Sequence, residues 1–145
     1  TYAIDVGYGQ LHNKLRQDAR VVVMERTNAR HLEAGDLPEP VDLVVIDASF
    51  IGLEKLLPAA RALLRSEGEV IALVKPQFQV GQDKVGKGGV VRDAEVRRDA
   101  IAKLVDEARG LGFELVAEAD SVITGPKGNQ ETFIRLRRSA ARPAS

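Results

Sequence analysis

The sequence predicts an α/β domain with a mostly parallel sheet and an antiparallel last strand. Three observations point there. Short apolar runs rich in β-branched residues alternate with segments of helical spacing, the pattern of a parallel sheet with helical crossovers. Four successive runs end in a charged residue: Asp5, Glu25, Asp47 and Lys75. Charged heads at carboxyl ends of strands lie where open α/β sheets bind ligands. The last two runs are joined by turn residues without a helix, which reverses the final strand.

The elements follow in order. Residues 1–5 read as a short strand ending in an acid, and 6–9 as a turn. Residues 10–17 have the spacing of a short helix, with Leu11 and Leu15 four apart. Residues 20–25 form a second strand, and Thr27 or Asn28 caps a helical turn through Leu32. Pro38 and Pro40 break the loop 35–40. Residues 43–48 are apolar except for Asp47, and such a run reads as a strand buried on both faces.

Leu53, Leu56, Leu57, Ala60, Leu63 and Leu64 recur at helical spacing. Pro58 either kinks that helix or sits in its first turn. Residues 66–68 close it, 70–75 form a fourth strand, and Pro76 stops the strand. Residues 77–92 form a long Gly-rich loop made basic by Lys84, Lys87 and Arg92. Asp93 caps a helix to about Arg109 with a stripe of Ile101, Leu104, Val105 and Ala108. Residues 113–117 and 131–136 are the last two strands.

At 145 residues the chain makes one domain, over 1–139, with a frayed tail at 140–145. Lys+Arg and Asp+Glu are 21 each, so there is no whole-chain basic signature, although a local patch remains open. There is no cysteine and there are two His, which removes disulfides, thiol chemistry and the usual zinc sites, so no metal is expected. No run reaches membrane-span length, and a cytoplasmic protein is expected. Starting at Thr1, directly in a strand, the chain reads as a fragment of a longer protein.

Each terminal acid could simply cap the helix that follows it. Four charged ends in succession, three acids and Lys75, weaken that reading. Lys75 is the sharpest case, since its stem leaves an apolar strand and its amine needs a partner. Asp47 on the neighbouring strand is the natural one, and Glu131, opening an antiparallel last strand, could meet both.

Six ordered motifs then stand out: 3–11 (Ala-Ile-Asp-Val-Gly-Tyr-Gly-Gln-Leu), 25–30 (Glu-Arg-Thr-Asn-Ala-Arg), 47–50 (Asp-Ala-Ser-Phe), 74–78 (Val-Lys-Pro-Gln-Phe), 86–93 (Gly-Lys-Gly-Gly-Val-Val-Arg-Asp) and 128–131 (Gly-Asn-Gln-Glu). Together they closely resemble the TlyA (haemolysin A) family, within the FtsJ-like ribose 2′-O-methyltransferases. The resemblance covers nearly the whole chain. It implies a Rossmann-like methyltransferase sheet and S-adenosylmethionine-dependent methylation of a ribose 2′-OH in ribosomal RNA, typically of a cytidine. Of the family's Lys-Asp-Lys-Glu tetrad it assigns Asp47, Lys75 and Glu131. Asp5 matches the acid that holds the cofactor ribose. The adenine-side position falls within 25–28, at Glu25 or Asn28, and Asp47 also borders the cofactor. The basic loop with Lys84, Lys87 and Arg92 is placed to touch RNA phosphate.

The family's first strand with its Gly-rich loop, the tetrad's first Lys and the small S4-like RNA-binding domain are not in this sequence. The expectation is a sheet with a gap, or strands that re-pair, with cofactor binding by this fragment weak or absent and the fragment alone inactive. Lys75 acts as base or as positioner of the attacking oxygen. Competing readings are a non-catalytic RNA-binding or ribosome-assembly module and, less favoured, a pore-forming haemolysin. The sequence offers no basic amphipathic helix for the last.

Overall fold

The computed structural model describes residues 1–7, 9 and 11–140. Tyr8, Gln10 and the expected frayed tail from 141 onward lie outside the described residues. The strands are β1 (Tyr2–Ile4), β2 (Val22–Met24), β3 (Val41–Ile46), β4 (Leu64–Val74), β5 (Phe113–Asp120) and β6 (Thr132–Arg138). The helices are α1 (Asn13–Arg16), α2 (Leu57–Leu63) and α3 (Ala94–Gly110).

Among the described residues the strands form two sheets, a parallel pair β1–β2 and a four-stranded sheet in the order β3-β4-β6-β5. β3 runs parallel to β4, while β6 is antiparallel to both β4 and β5. So β3, β4 and β5 point one way and β6 alone opposes them, as the turn-rich last connection predicts. The expected gap is visible as this division. β1 pairs with β2, β3 pairs with β4, and neither set pairs with the other.

The expectation that the 43–48 strand is buried on both faces fails. Leu43 and Val45 are 49% and 68% exposed. The reason lies in the packing. Val70, Ala72 and Val74 of β4 and Ile134 and Leu136 of β6 form one cluster with Leu57 and Ala60 of α2 and Ile101, Leu104, Val105 and Ala108 of α3. The alternate residues Glu69, Ile71, Leu73, Phe133 and Arg135 face away and stay half-buried or exposed. A continuous apolar run does not distinguish a strand covered on both faces from one covered on a single face.

Pro58 sits in the first turn of α2, after a 3-10 turn at Leu53–Lys55. The turn expected at 66–68 is an excursion within β4. Register jumps from Val41 opposite Leu64 to Leu43 opposite Glu69, and Glu67 adopts a φ of 63°. Arg138 Nη1 donates to the carbonyls of Arg61 and Leu64 at the end of α2. Such carbonyls lack intrahelical partners. Arg135 forks onto Glu69 at 2.6 and 3.0 Å, and this hydrogen bonding holds the Glu69 carboxyl below its usual range. α3 is capped by Asp93, whose Oδ1 accepts from the Glu95 and Val96 amides, as predicted. The helix expected over 10–17 is only the four-residue α1, and it buries nothing.

Candidate active site at the carboxyl edge of the large sheet

Register builds the site. Val74, the last residue of β4, lies opposite Thr132, which lies opposite Asp120 of β5. The next residues at this edge are therefore Lys75, Glu131 and Ser121, and the Ser121 amide donates to the Glu131 carbonyl at 2.8 Å. Asp47 follows β3 on the other side of β4. Lys75 Nζ lies 2.7 Å from Asp47 Oδ1 and 3.1 Å from Ser49 Oγ. Only 14% of the Lys75 side chain is exposed, against 66% for Asp47. The stem leaves the core and the amine reaches out to a half-open carboxylate.

Glu131 is 6% exposed, and its Oε2 has no hydrogen-bond partner among the described residues. Burial pushes its carboxyl above the usual range; the Lys75 charge opposes the rise and the Asp47 charge adds to it. Burial disfavours a carboxylate's charged form, and neighbouring charges move it either way. These couplings tie Glu131 electrostatically to the Lys75–Asp47 pair.

The Gly-rich loop is anchored to the same edge by Asn129, which is 1% exposed. Its Oδ1 accepts from Val91 N–H at 2.9 Å and its Nδ2 donates to Gly89 O at 3.0 Å. Within the loop, Gly86 N–H donates to Val90 O at 2.8 Å. Gly88 and Gly89 have φ values of 79° and 78°, a region that favours glycine. Lys84, Lys87 and Arg92 are all exposed, and Arg92 Nη1 donates to Lys87 O.

The residues ascribed to the cofactor lie on the small sheet, apart from Asp47. Asp5 is exposed just past β1, with Oδ1 accepting from Gly7 N–H at 2.9 Å. Glu25 is engaged by its own chain: Arg16 pairs with Oε1, and Gly9 N–H donates to Oε2 at 2.7 Å. Asn28 Oδ1 accepts from the Arg30 amide and caps the 3-10 turn Ala29–His31.

Sequence reasoning passed over Ser49 and Asn129 as individuals, although both fall inside the quoted motifs. A polar residue two positions from an assigned acid, in each case, was the available signal. It also passed over Gly125, whose Cα borders the Glu131 carboxylate, and Phe50. Phe50 is 90% exposed as a residue, its φ is 65°, and its ring centroid lies 5.1 Å from that of Phe78. No helix among the described residues is long and apolar enough to cross a membrane, and no group of His, Asp and Glu there could hold a metal ion.

A family model described as FtsJ-like methyltransferase matches residues 1–138. The 16S/23S rRNA (cytidine-2′-O)-methyltransferase TlyA of Mycobacterium tuberculosis is 46% identical over 143 residues, covering 99% of this chain and 53% of that protein. A provisionally named hemolysin from Streptococcus thermophilus superposes with a TM-score of 0.92 at 38% identity, over 99% of this chain and 52% of that one. The N-methyltransferase NodS of Bradyrhizobium japonicum, solved with S-adenosyl-L-homocysteine, shares the fold at a TM-score of 0.61 and 13% identity, over 94% of this chain and 65% of that one. The chain spans about half the length of the curated relatives it matches.

Proposed function

The chain belongs to the FtsJ-like methyltransferase family, and from that premise we propose that the protein transfers a methyl group from S-adenosylmethionine to the 2′-OH of a cytidine ribose in ribosomal RNA. The observation that carries this reading is the Lys75–Asp47 pair at 2.7 Å beside the buried Glu131. Residues 1–139 are then part of the catalytic domain of the full-length protein, which works in the cytoplasm, where ribosomal RNA is found.

The methyl donor fits this chain unevenly. Asp5, exposed past β1, suits the hydroxyls of the cofactor ribose. Asn28 and Asp47 are the further residues assigned to the cofactor. Glu25 fits less well, since Arg16 and a backbone amide already occupy its carboxylate. Bound S-adenosylmethionine supplies a methyl already activated on a sulfonium. The protein's part is then to orient the ribose hydroxyl and manage its proton, so positioning carries much of the acceleration.

Lys75 is the residue for that task. Both of its contacts are ones in which the amine donates, to Asp47 and to Ser49. These two contacts fix where the amine sits, which suits positioning the attacking hydroxyl; acting as base would further require the amine to be neutral. Asp47 and Glu131 aim the amine. The exposed Phe50 ring offers a face for a base beside the ribose, and Lys84, Lys87 and Arg92 meet RNA phosphate.

The test uses the full-length protein, S-adenosylmethionine and separated ribosomal subunits, followed by nuclease digestion and mass spectrometry of the nucleosides. The expected product is 2′-O-methylcytidine. No methylated ribose with either subunit would overturn the proposal.

A further inference from the structure

We propose that Gly125 is a positioning residue whose lack of a side chain sets where the Glu131 carboxylate sits. Its backbone does not require glycine: φ is −70° and ψ 178°, an extended conformation open to any residue. Space is what excludes a side chain. A Cβ at Gly125 would lie 2.7 Å from Cδ and from Oε2 of Glu131, and 3.0 Å from Oε1. The three nearest atoms to that Cβ all belong to this one carboxylate. Real Cβ atoms do not approach so closely, so any substitution must displace the carboxylate or the backbone that carries Gly125.

That backbone is held. Gly125 N–H donates to Asn129 O at 2.7 Å, and Gly128 N–H donates back to Gly125 O at 3.0 Å. Asn129 is itself buried and bonded to the Gly-rich loop on both sides of its amide. The Glu131 backbone is held too: its carbonyl accepts from Ser121 N–H at 2.8 Å and from Gln130 Nε2 at 2.8 Å. With both main chains fixed, the Glu131 side chain is the part free to move. It is buried, its Oε2 is unpartnered among the described residues, and its charge is coupled to Lys75 and Asp47. Gly125 therefore fixes one wall against which the carboxylate rests in its place beside the Lys75–Asp47 pair.

This inference rests on the proposed catalytic role of Glu131, and its test separates the two. In the full-length protein, Gly125→Ala lowers kcat for RNA methylation by about 10- to 100-fold, the scale of a misplacement near 1 Å. KM for RNA and for S-adenosylmethionine stays within about 2- to 3-fold, because neither ligand loses a contact. Glu131→Asp withdraws the carboxylate by one methylene, so Gly125→Ala costs nothing further in that background. A Gly125→Ala loss that is the same in both backgrounds would overturn the inference, as would a Gly125→Ala enzyme with unchanged kcat. Should Gly125→Ala alone fail to fold, the Gly125→Ala/Glu131→Asp protein regains a cooperative melting transition; a double variant that stays unfolded counts against it. Near-normal turnover in Glu131→Gln would instead remove the catalytic reading of Glu131 and leave the steric one to the melting data.

Discussion

The two sheets of this molecule end in the same kind of residue and use it differently. The four-stranded sheet is backed by α2 and α3, and β4 and β6 bury Val70, Ala72, Val74, Ile134 and Leu136 almost completely. At its carboxyl edge, charged residues face one another: Lys75 to Asp47, with Glu131 beside them. The two-stranded sheet has no such backing. Among the described residues before Gly52, Leu37 alone is buried; Leu15 of α1 and Val22 of β2 are about half exposed. At its edge, Glu25 is tied to Arg16 and Gly9, and Asp5 to its own turn. A packed sheet can hold a buried carboxyl with an unpartnered oxygen; a thin sheet satisfies its acids locally.

The largest expected effect is on stability. Leu104→Ala, in α3 against the large sheet, costs about 2–5 kcal/mol in urea unfolding. A loss below about 1 kcal/mol would break the claim that this half carries the fold. Next comes Asn129→Ala, which leaves the buried Val91 N–H and Gly89 C=O without their partner and costs about 1–3 kcal/mol. Limited proteolysis should then cut within 84–92 first.

Glu131→Gln sharpens the contrast with the opposite sign. The Glu131 carboxyl is raised in the folded protein, so in the window above its ordinary value the folded state holds a proton that the unfolded chain has released. Stability is greatest below that window and falls as pH rises through it. Glu131→Gln removes the fall, so near neutral pH the variant is more stable than the parent, while losing turnover. A variant with the parent's stability–pH profile would contradict this. The smallest effect belongs to Leu15→Ala in α1, between β1 and β2 in sequence, within about 0.5 kcal/mol by the same urea measurement.

Much of this was legible in the sequence, for identifiable reasons. Asp93 as a cap, the Ile101–Leu104–Val105–Ala108 stripe and the reversal of β6 are local signals, set by spacing and turn residues. The Lys75–Asp47 meeting was legible because neighbouring parallel strands both end in charge. What was not legible depends on how folded segments pack, which no fixed spacing encodes. The exposed face of β3 follows from which side α2 and α3 chose. The engagement of Glu25 depends on Arg16, nine residues away across a turn. The Gly125–Glu131 contact needs both main chains pinned by Asn129, Gln130 and Ser121, and no spacing rule encodes that.

The most direct measurement is single-turnover methylation of ribosomal RNA by the full-length protein carrying Lys75→Ala, with S-adenosylmethionine affinity measured calorimetrically on the same preparation. The account predicts a rate lower by about 10²-fold or more with cofactor affinity unchanged. Near-normal methylation would contradict it, because the edge that joins Asp47, Lys75 and Glu131 would then not be where the methyl group moves.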